Sequence, residues 1–247
     1  MQNYRVTTSL SYNDLDAHEL LWHQEGWCIV CKIDFEIVKS QIIELNDSIR
    51  ALVKNSFGLN EEETDWDTWS DNIKAKNGDN YITIRQAWEE YSEDRKYWET
   101  ITNLSKGMEN RPNQKSLMNL FAYLLLVEGS YSEIVQILSV LLVDAGHDLF
   151  DPIRNDFVKG FGDIEKVDLS IKLKFLEKHG FDLVINSVDR KLRNDIAHLN
   201  FRVLEDGKIV DKRNGQEIKG IDEKTKRLTW ICTLVVTSLE YFTPYFY

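Results

Sequence analysis

At 247 residues the chain is long enough to bury a sizeable core, as one large or two small domains. Hydrophobic content of 43% with only 3 Pro and 12 Gly excludes a low-complexity or collagen-like chain and predicts an ordered, mainly helical protein. Three cysteines, an odd number, and a start unlike a signal peptide argue against a disulfide framework and for a cytoplasmic, reducing location.

The formal charge of −11 is hostile to nucleic acid as a whole, but it is unevenly spread. Residues 1–110 hold 11 Lys+Arg against 21 Asp+Glu, net −10, whereas residues 111–247 hold 19 against 20, net −1. Between 172 and 227 the balance reverses to 14 basic against 10 acidic residues, net +4. Such a local basic surface can track a phosphate backbone on an acidic protein, and a solvated helix face gives the same count.

The first apolar-periodic stretch runs from about Leu15 to Phe57, one or two helices with a break near Gly26, a cap at Asn13 or Asp14 and a stop at Gly58. An acidic loop around Glu61-Glu62-Glu63 precedes a Trp/Tyr-rich helix over about Thr83 to Thr102. The segment Asn103 to Lys115, with Gly107 and Pro112, reads as a linker, so the expected division is an acidic, aromatic-rich helical region over 1–110 and a helical domain over 111–247.

Beyond it the pattern predicts helices over Leu117–Val127, Tyr131–Leu149 and Lys166–Lys178, the last ended by Gly180. A further helix over about Leu183–His198 carries apolar residues at 184, 185, 188, 192 and 196. Period-two patterning over Phe201–Ile221, with turns at Asp206-Gly207 and Asn214-Gly215, predicts a small hairpin unit, and a last helix covers about Asp222–Tyr241. The apolar run Leu228–Phe242 is broken by Thr, Ser and Glu and falls short of a ~20-residue membrane span, so burial is expected.

The segment Arg193-Asn194-Asp195-Ile196-Ala197-His198 is the best functional clue. With 11 Arg and 5 His in the chain, an Arg five residues before a His is expected about 0.2 times by chance, so context must carry it. On a helix Asn194 and His198 are i, i+4 neighbours, and Arg193, one position around, is long enough to lean toward the ring. An imidazole titrates near neutrality and moves protons, while a guanidinium is always charged and stabilises a gathering negative charge on phosphate.

These residues resemble the R-polar-x-x-x-H signature of the HEPN superfamily, and the order of helices over about 116–247 is similar to that family's bundle, with the hairpin as an insertion. Nothing in residues 1–110 carries the resemblance. It implies a metal-independent endoribonuclease without cofactor, in which Arg193, Asn194 and His198 are catalytic. The 2′-hydroxyl attacks the neighbouring phosphorus, leaving a 2′,3′-cyclic phosphate and a 5′-hydroxyl. It further implies a homodimer through the motif helix, and, since many relatives are toxins or defence proteins, an antitoxin or other regulatory protein as partner. Arg190, Lys191 and Lys174 are the candidates for binding RNA. The same residues also fit a non-catalytic scaffold of the HEPN type that binds a protein or nucleotide, or an unrelated helical interaction protein in which Arg193 and His198 are structural.

Other constellations are weaker. Cys28 and Cys31 have the spacing of a thioredoxin site without its flanking strand, and with His18 and His23 they converge on one metal only if the helix breaks at Gly26, since from a single helix they point apart. Asp144, His147 and Asp148 share a helical face, but Gly146 and Pro152 suggest a helix end with solvated charges. Six tryptophans in the first 110 residues, Trp22 to Trp98, fit core packing or a protein interface better than base stacking among so many carboxylates.

Overall fold

The computed structural model describes residues 35–57 and 79–240, and the chain divides into two compact units, 1–44 and 45–247. The fold is mainly helical, in keeping with the composition. In chain order it comprises α1 (Phe35–Phe57), α2 (Asp79–Lys106), α3 (Pro112–Leu126) and α4 (Ser132–Asp144), then the pair β1 (Phe150–Asp151) and β2 (Asp156–Phe157). After these come α5 (Phe161–Ile164), α6 (Leu169–Lys178), α7 (Asp182–Ile185), α8 (Arg190–Ala197), the pair β3 (Phe201–Val203) and β4 (Ile209–Asp211), and α9 (Ile221–Glu240).

α3 and α4 are one long apolar rod interrupted by a π-helical turn, Val127–Tyr131, where Gly129 leaves helical geometry (φ −95°, ψ −107°). Proline at the first position of α3 lacks the N–H that a helix start would orphan, which makes it a natural beginning. α2 packs along both α3 and α4, α6 along α4, and α9 against α3. Leu120, Leu126, Ile134, Leu138, Leu228, Ile231 and Val235 are each fully buried in the shared core. Trp88, Tyr91 and Trp98 of α2 join it, so described tryptophans of the acidic region act as core residues.

The elements differ from expectation in instructive ways. Only five residues, 107–111, separate α2 from α3 where a longer linker was predicted, and α4 stops at Asp144 because Gly146 turns left-handed (φ +95°). The β1–β2 pair, Phe150 against Phe157, was not foreseen; two residues per strand leave no periodic pattern to read. The predicted last helix forms and buries Leu228, Ile231, Cys232, Val235, Val236 and Leu239. By length and composition the stretch Pro112–Asp144 could cross a membrane, and 72% of its most apolar window is buried inside the protein. The expected features before Phe35 and the Gly58 stop, including Cys28, Cys31, His18 and His23, lie outside the described residues.

The π-turn is held by close packing. A Cβ on Gly129 would sit 2.6 Å from Asp94 Oδ2 and 2.9 Å from Asp94 Cβ, closer than atoms tolerate. Next to it the Trp98 indole N–H donates to Ser130 Oγ at 3.2 Å, and Tyr131 donates from its buried hydroxyl to the Val184 carbonyl at 3.0 Å. Gly129→Ala is therefore expected to lower the melting temperature, and Asp94→Ala in the same chain to recover part of the loss. A double-mutant cycle by thermal denaturation reads the coupling directly.

Between α2, α4 and α6 lies a polar cluster. Lys172 is buried and donates to Gln136 Oε1 at 3.1 Å. Burial is the main reason that the Glu133 carboxyl is pushed up to about 7, helped by the charges of Glu90, Asp94 and Glu165 and opposed by Lys172. Its Oε2 is buried without a hydrogen-bond partner among the described residues. A carboxyl whose folded value lies above its unfolded value stabilises the fold fully at low pH and loses that contribution as pH rises from about 4.5 to about 7. Glu133→Gln should accordingly gain on the order of 1–2 kcal/mol over the parent above pH 7, after allowance for solvent screening, and nothing at pH 4, as read by denaturant melts at both pH values.

Candidate functional site

The predicted motif helix is two pieces. α7 ends at Ile185, and α8 begins only after Asp189, whose side chain accepts the Leu192 N–H at 2.9 Å as an N-cap. Asp189 is tied in further: Lys224 of α9 donates to its Oδ2 at 2.6 Å, and the Tyr123 hydroxyl of α3 accepts its backbone N–H at 2.8 Å. Burial raises the Asp189 carboxyl, but the hydrogen bonds from Lys224 and Leu192 outweigh it and leave the group below its ordinary value. Val184, Ile185, Leu192 and Ile196 are buried and Val188 partly so, which is the core stripe the periodicity indicated, carried on two short helices.

α8 makes two turns, and His198 caps its C-terminus, its N–H bonded to the Asn194 carbonyl at 3.0 Å. The imidazole is exposed and so is Asn194. Arg193 is gripped from outside the motif. Its guanidinium makes a two-pronged pair with Glu128 of the π-turn, Nε to Oε1 and Nη2 to Oε2, the latter at 2.9 Å, while Nη1 donates to Asn194 Oδ1 at 2.9 Å. The hydrogen bond to Glu128, with its charge and that of Asp168, raises the Arg193 pKa further, so the group is a permanent cation. Arg193 and Asn194 are thus joined to each other, but Arg193 leans to Glu128 and not, as expected, toward the histidine, and no hydrogen bond among the described residues links either to the His198 ring.

The candidate RNA-binding cations occupy different settings. Arg190 is exposed at the first position of α8, and Lys174 is exposed on α6. Lys191 is exposed but engaged: its Nζ donates to Asp195 Oδ2 at 2.7 Å and to Asp211 Oδ2 at 3.3 Å. Arg213 completes this cluster, donating from Nη2 to Asp195 at 2.6 Å and to Asp211 at 2.8 Å. The Arg213 hydrogen bonds hold the Asp211 carboxyl far below the usual carboxylate range.

Asp195 and Asp211, each 3% exposed, were overlooked in the sequence. The available signal was an aspartate inside the motif, four residues after Lys191, together with a hairpin whose Asn214-Gly215 turn brings Arg213 beside Asp211. The effect is to clamp the β3–β4 hairpin onto the motif helix. The hairpin itself has the predicted turns, with Gly207 and Gly215 both left-handed (φ +85° and +70°). Near β1, His147 stacks on His179 with centroids 4.2 Å apart, so His147 packs on another ring, and no group of three metal-ligating side chains occurs among the described residues.

Comparison of the chain with protein-family models, with curated proteins and with solved structures finds no match. Arg213→Ala leaves the Asp195 carboxylate with Lys191 alone and that of Asp211 with Lys191 and the backbone N–H of residue 213, and is expected to lower the melting temperature by several degrees and to speed amide exchange over 201–218 before the rest of the chain. Hydrogen exchange by mass spectrometry checks the order.

Proposed function

We propose that the chain is a metal-independent endoribonuclease of the toxin or defence kind, cleaving RNA by transesterification at Arg193, Asn194 and His198. The observation that carries the reading is a cation fixed in place by Glu128 on the same two-turn helix as a solvent-facing imidazole. Transesterification needs little else. His198 takes the proton of the 2′-hydroxyl as its oxygen attacks phosphorus, and returns a proton to the departing 5′-oxygen. Arg193 faces the negative charge that builds on the phosphorane, and Asn194, bonded to Nη1, fixes the guanidinium plane. Arg190 and Lys174 would attract the flanking backbone.

A second reading draws on the same ion pair. A carboxylate already seated on Arg193 weakens its pull on a phosphate, which favours a non-catalytic scaffold binding a protein or nucleotide at this surface. Cleavage of labelled RNA separates the two. The endoribonuclease reading expects His198→Ala and Arg193→Ala each to slow cleavage by roughly 10²–10⁴-fold with far-UV dichroism unchanged, with products ending in cyclic phosphate and no effect of chelators. Cutting that persists in both variants, or a purified protein that binds RNA tightly and never cuts it, rejects catalysis.

A further inference from the structure

Three helices of this chain end in the same pattern of backbone bonds, and one of them breaks the residue rule that the others keep. After α4, the Gly146 N–H donates to the Val143 carbonyl at 3.0 Å and that of His147 to Leu142 at 3.1 Å. After α6, Gly180 donates to Glu177 at 3.4 Å and Phe181 to Leu176 at 3.2 Å. After α8, Leu199 donates to Ile196 at 3.0 Å and Asn200 to Asp195 at 2.8 Å. Each is a Schellman end, which sets its first residue beyond the cap in the left-handed conformation. Gly146 and Gly180 adopt it freely (φ +95° and +82°), whereas Leu199 adopts it (φ +52°) with its Cβ crowding the following carbonyl.

Burial does not account for this leucine. Its side chain is 57% exposed and joins no part of the described core, while its carbonyl is held by Lys212 Nζ at 2.8 Å. The motif helix therefore presents an apolar side chain to solvent one residue beyond the exposed His198, on a backbone that glycine fits with less strain. Backbone strain of this kind clusters at positions that contact a ligand.

We propose that Leu199 inserts against the face of a nucleobase beside the scissile phosphate and opens the base stack there. The inference takes its ligand, RNA, from the nuclease reading and goes beyond it by assigning the site to unpaired strands. Attack by the 2′-hydroxyl needs its oxygen, the phosphorus and the departing 5′-oxygen in line, a geometry that a regular stacked strand does not present. An apolar wedge between two bases unstacks them and bends the backbone that joins them. Leu199 thus delivers a bent link to Arg193 and His198. Base pairing holds the stack closed, so a duplex is excluded, and contact with a base face rather than its edge carries little sequence preference.

The test sets stability against function. Leu199→Gly and Leu199→Asn, which both accept the left-handed backbone, are expected to raise the melting temperature by up to about 4 °C. The same variants should slow cleavage of single-stranded RNA roughly tenfold, Leu199→Phe should restore it, and the parent should leave duplex RNA uncut. A second readout needs no cleavage: a fully 2′-O-methylated single strand carrying 2-aminopurine, whose fluorescence rises on unstacking, should brighten on binding the parent and Leu199→Phe but not Leu199→Gly. A lower melting temperature in both Gly and Asn variants, or a parent that binds the strand and leaves it dim or cuts duplex as fast as single strand, overturns the proposal. Cleavage at the parent rate in Leu199→Gly and Leu199→Asn overturns it as well and leaves the nuclease standing. Brightening that depends on Leu199, in a protein that never cuts RNA, upholds the wedge and removes the nuclease.

Discussion

One extra residue in a helical turn organises this molecule. Without the π-turn at 127–131, α3 and α4 would form a straight rod, and the side chains after Leu126 would follow the faces set before it. With it, consecutive residues reach four different places. Glu128 reaches out to Arg193, Gly129 admits Asp94 of α2, Ser130 accepts from Trp98, and Tyr131 turns inward to the Val184 carbonyl just ahead of the motif helix. π-turns are costly and are seldom kept without purpose. Here the turn is the common anchor of the core helices and of the motif's arginine.

The candidate site is anchored from three further sides by interactions of different kinds. Asp189 caps α8 and is itself bound by Lys224 and Tyr123, which fixes the start of the helix. Leu192 and Ile196 seat it on the core. Asp195, buried inside the motif, joins through Arg213 to Asp211 and so fastens the hairpin that follows. A two-turn helix is too short to persist alone, so its shape is a product of these contacts rather than of helix propensity.

Much of this was legible in the sequence where one segment dictates its own state. The stripe at 184, 185, 188, 192 and 196 marked a core-facing surface, the two Asx-Gly turns marked the hairpin, and the apolar periodicity marked α3, α4, α6 and α9. Boundaries failed where a local polar bond competes with helix. Asp189 as an N-cap stops the continuous helix that the stripe alone suggests, and Gly146 cuts α4 short of the predicted Leu149. What could not be read were pairings across long separations. Glu128 and Arg193 lie 65 positions apart, and nothing local to either announces the other.

That distant pair also changes what Arg193 contributes. A guanidinium has five N–H groups, and Glu128 takes two of them and Asn194 a third, which leaves one on each Nη nitrogen. A phosphate approaching Arg193 meets a fork of fixed orientation whose charge is already balanced in part by the carboxylate behind it. Lys191 is balanced likewise by Asp195 and Asp211, so the cations nearest the motif supply geometry more than net charge. On the proposed nuclease reading, in a chain carrying −11 overall, attraction of the polyanion falls to the exposed Arg190 and Lys174, and the motif would orient what they capture.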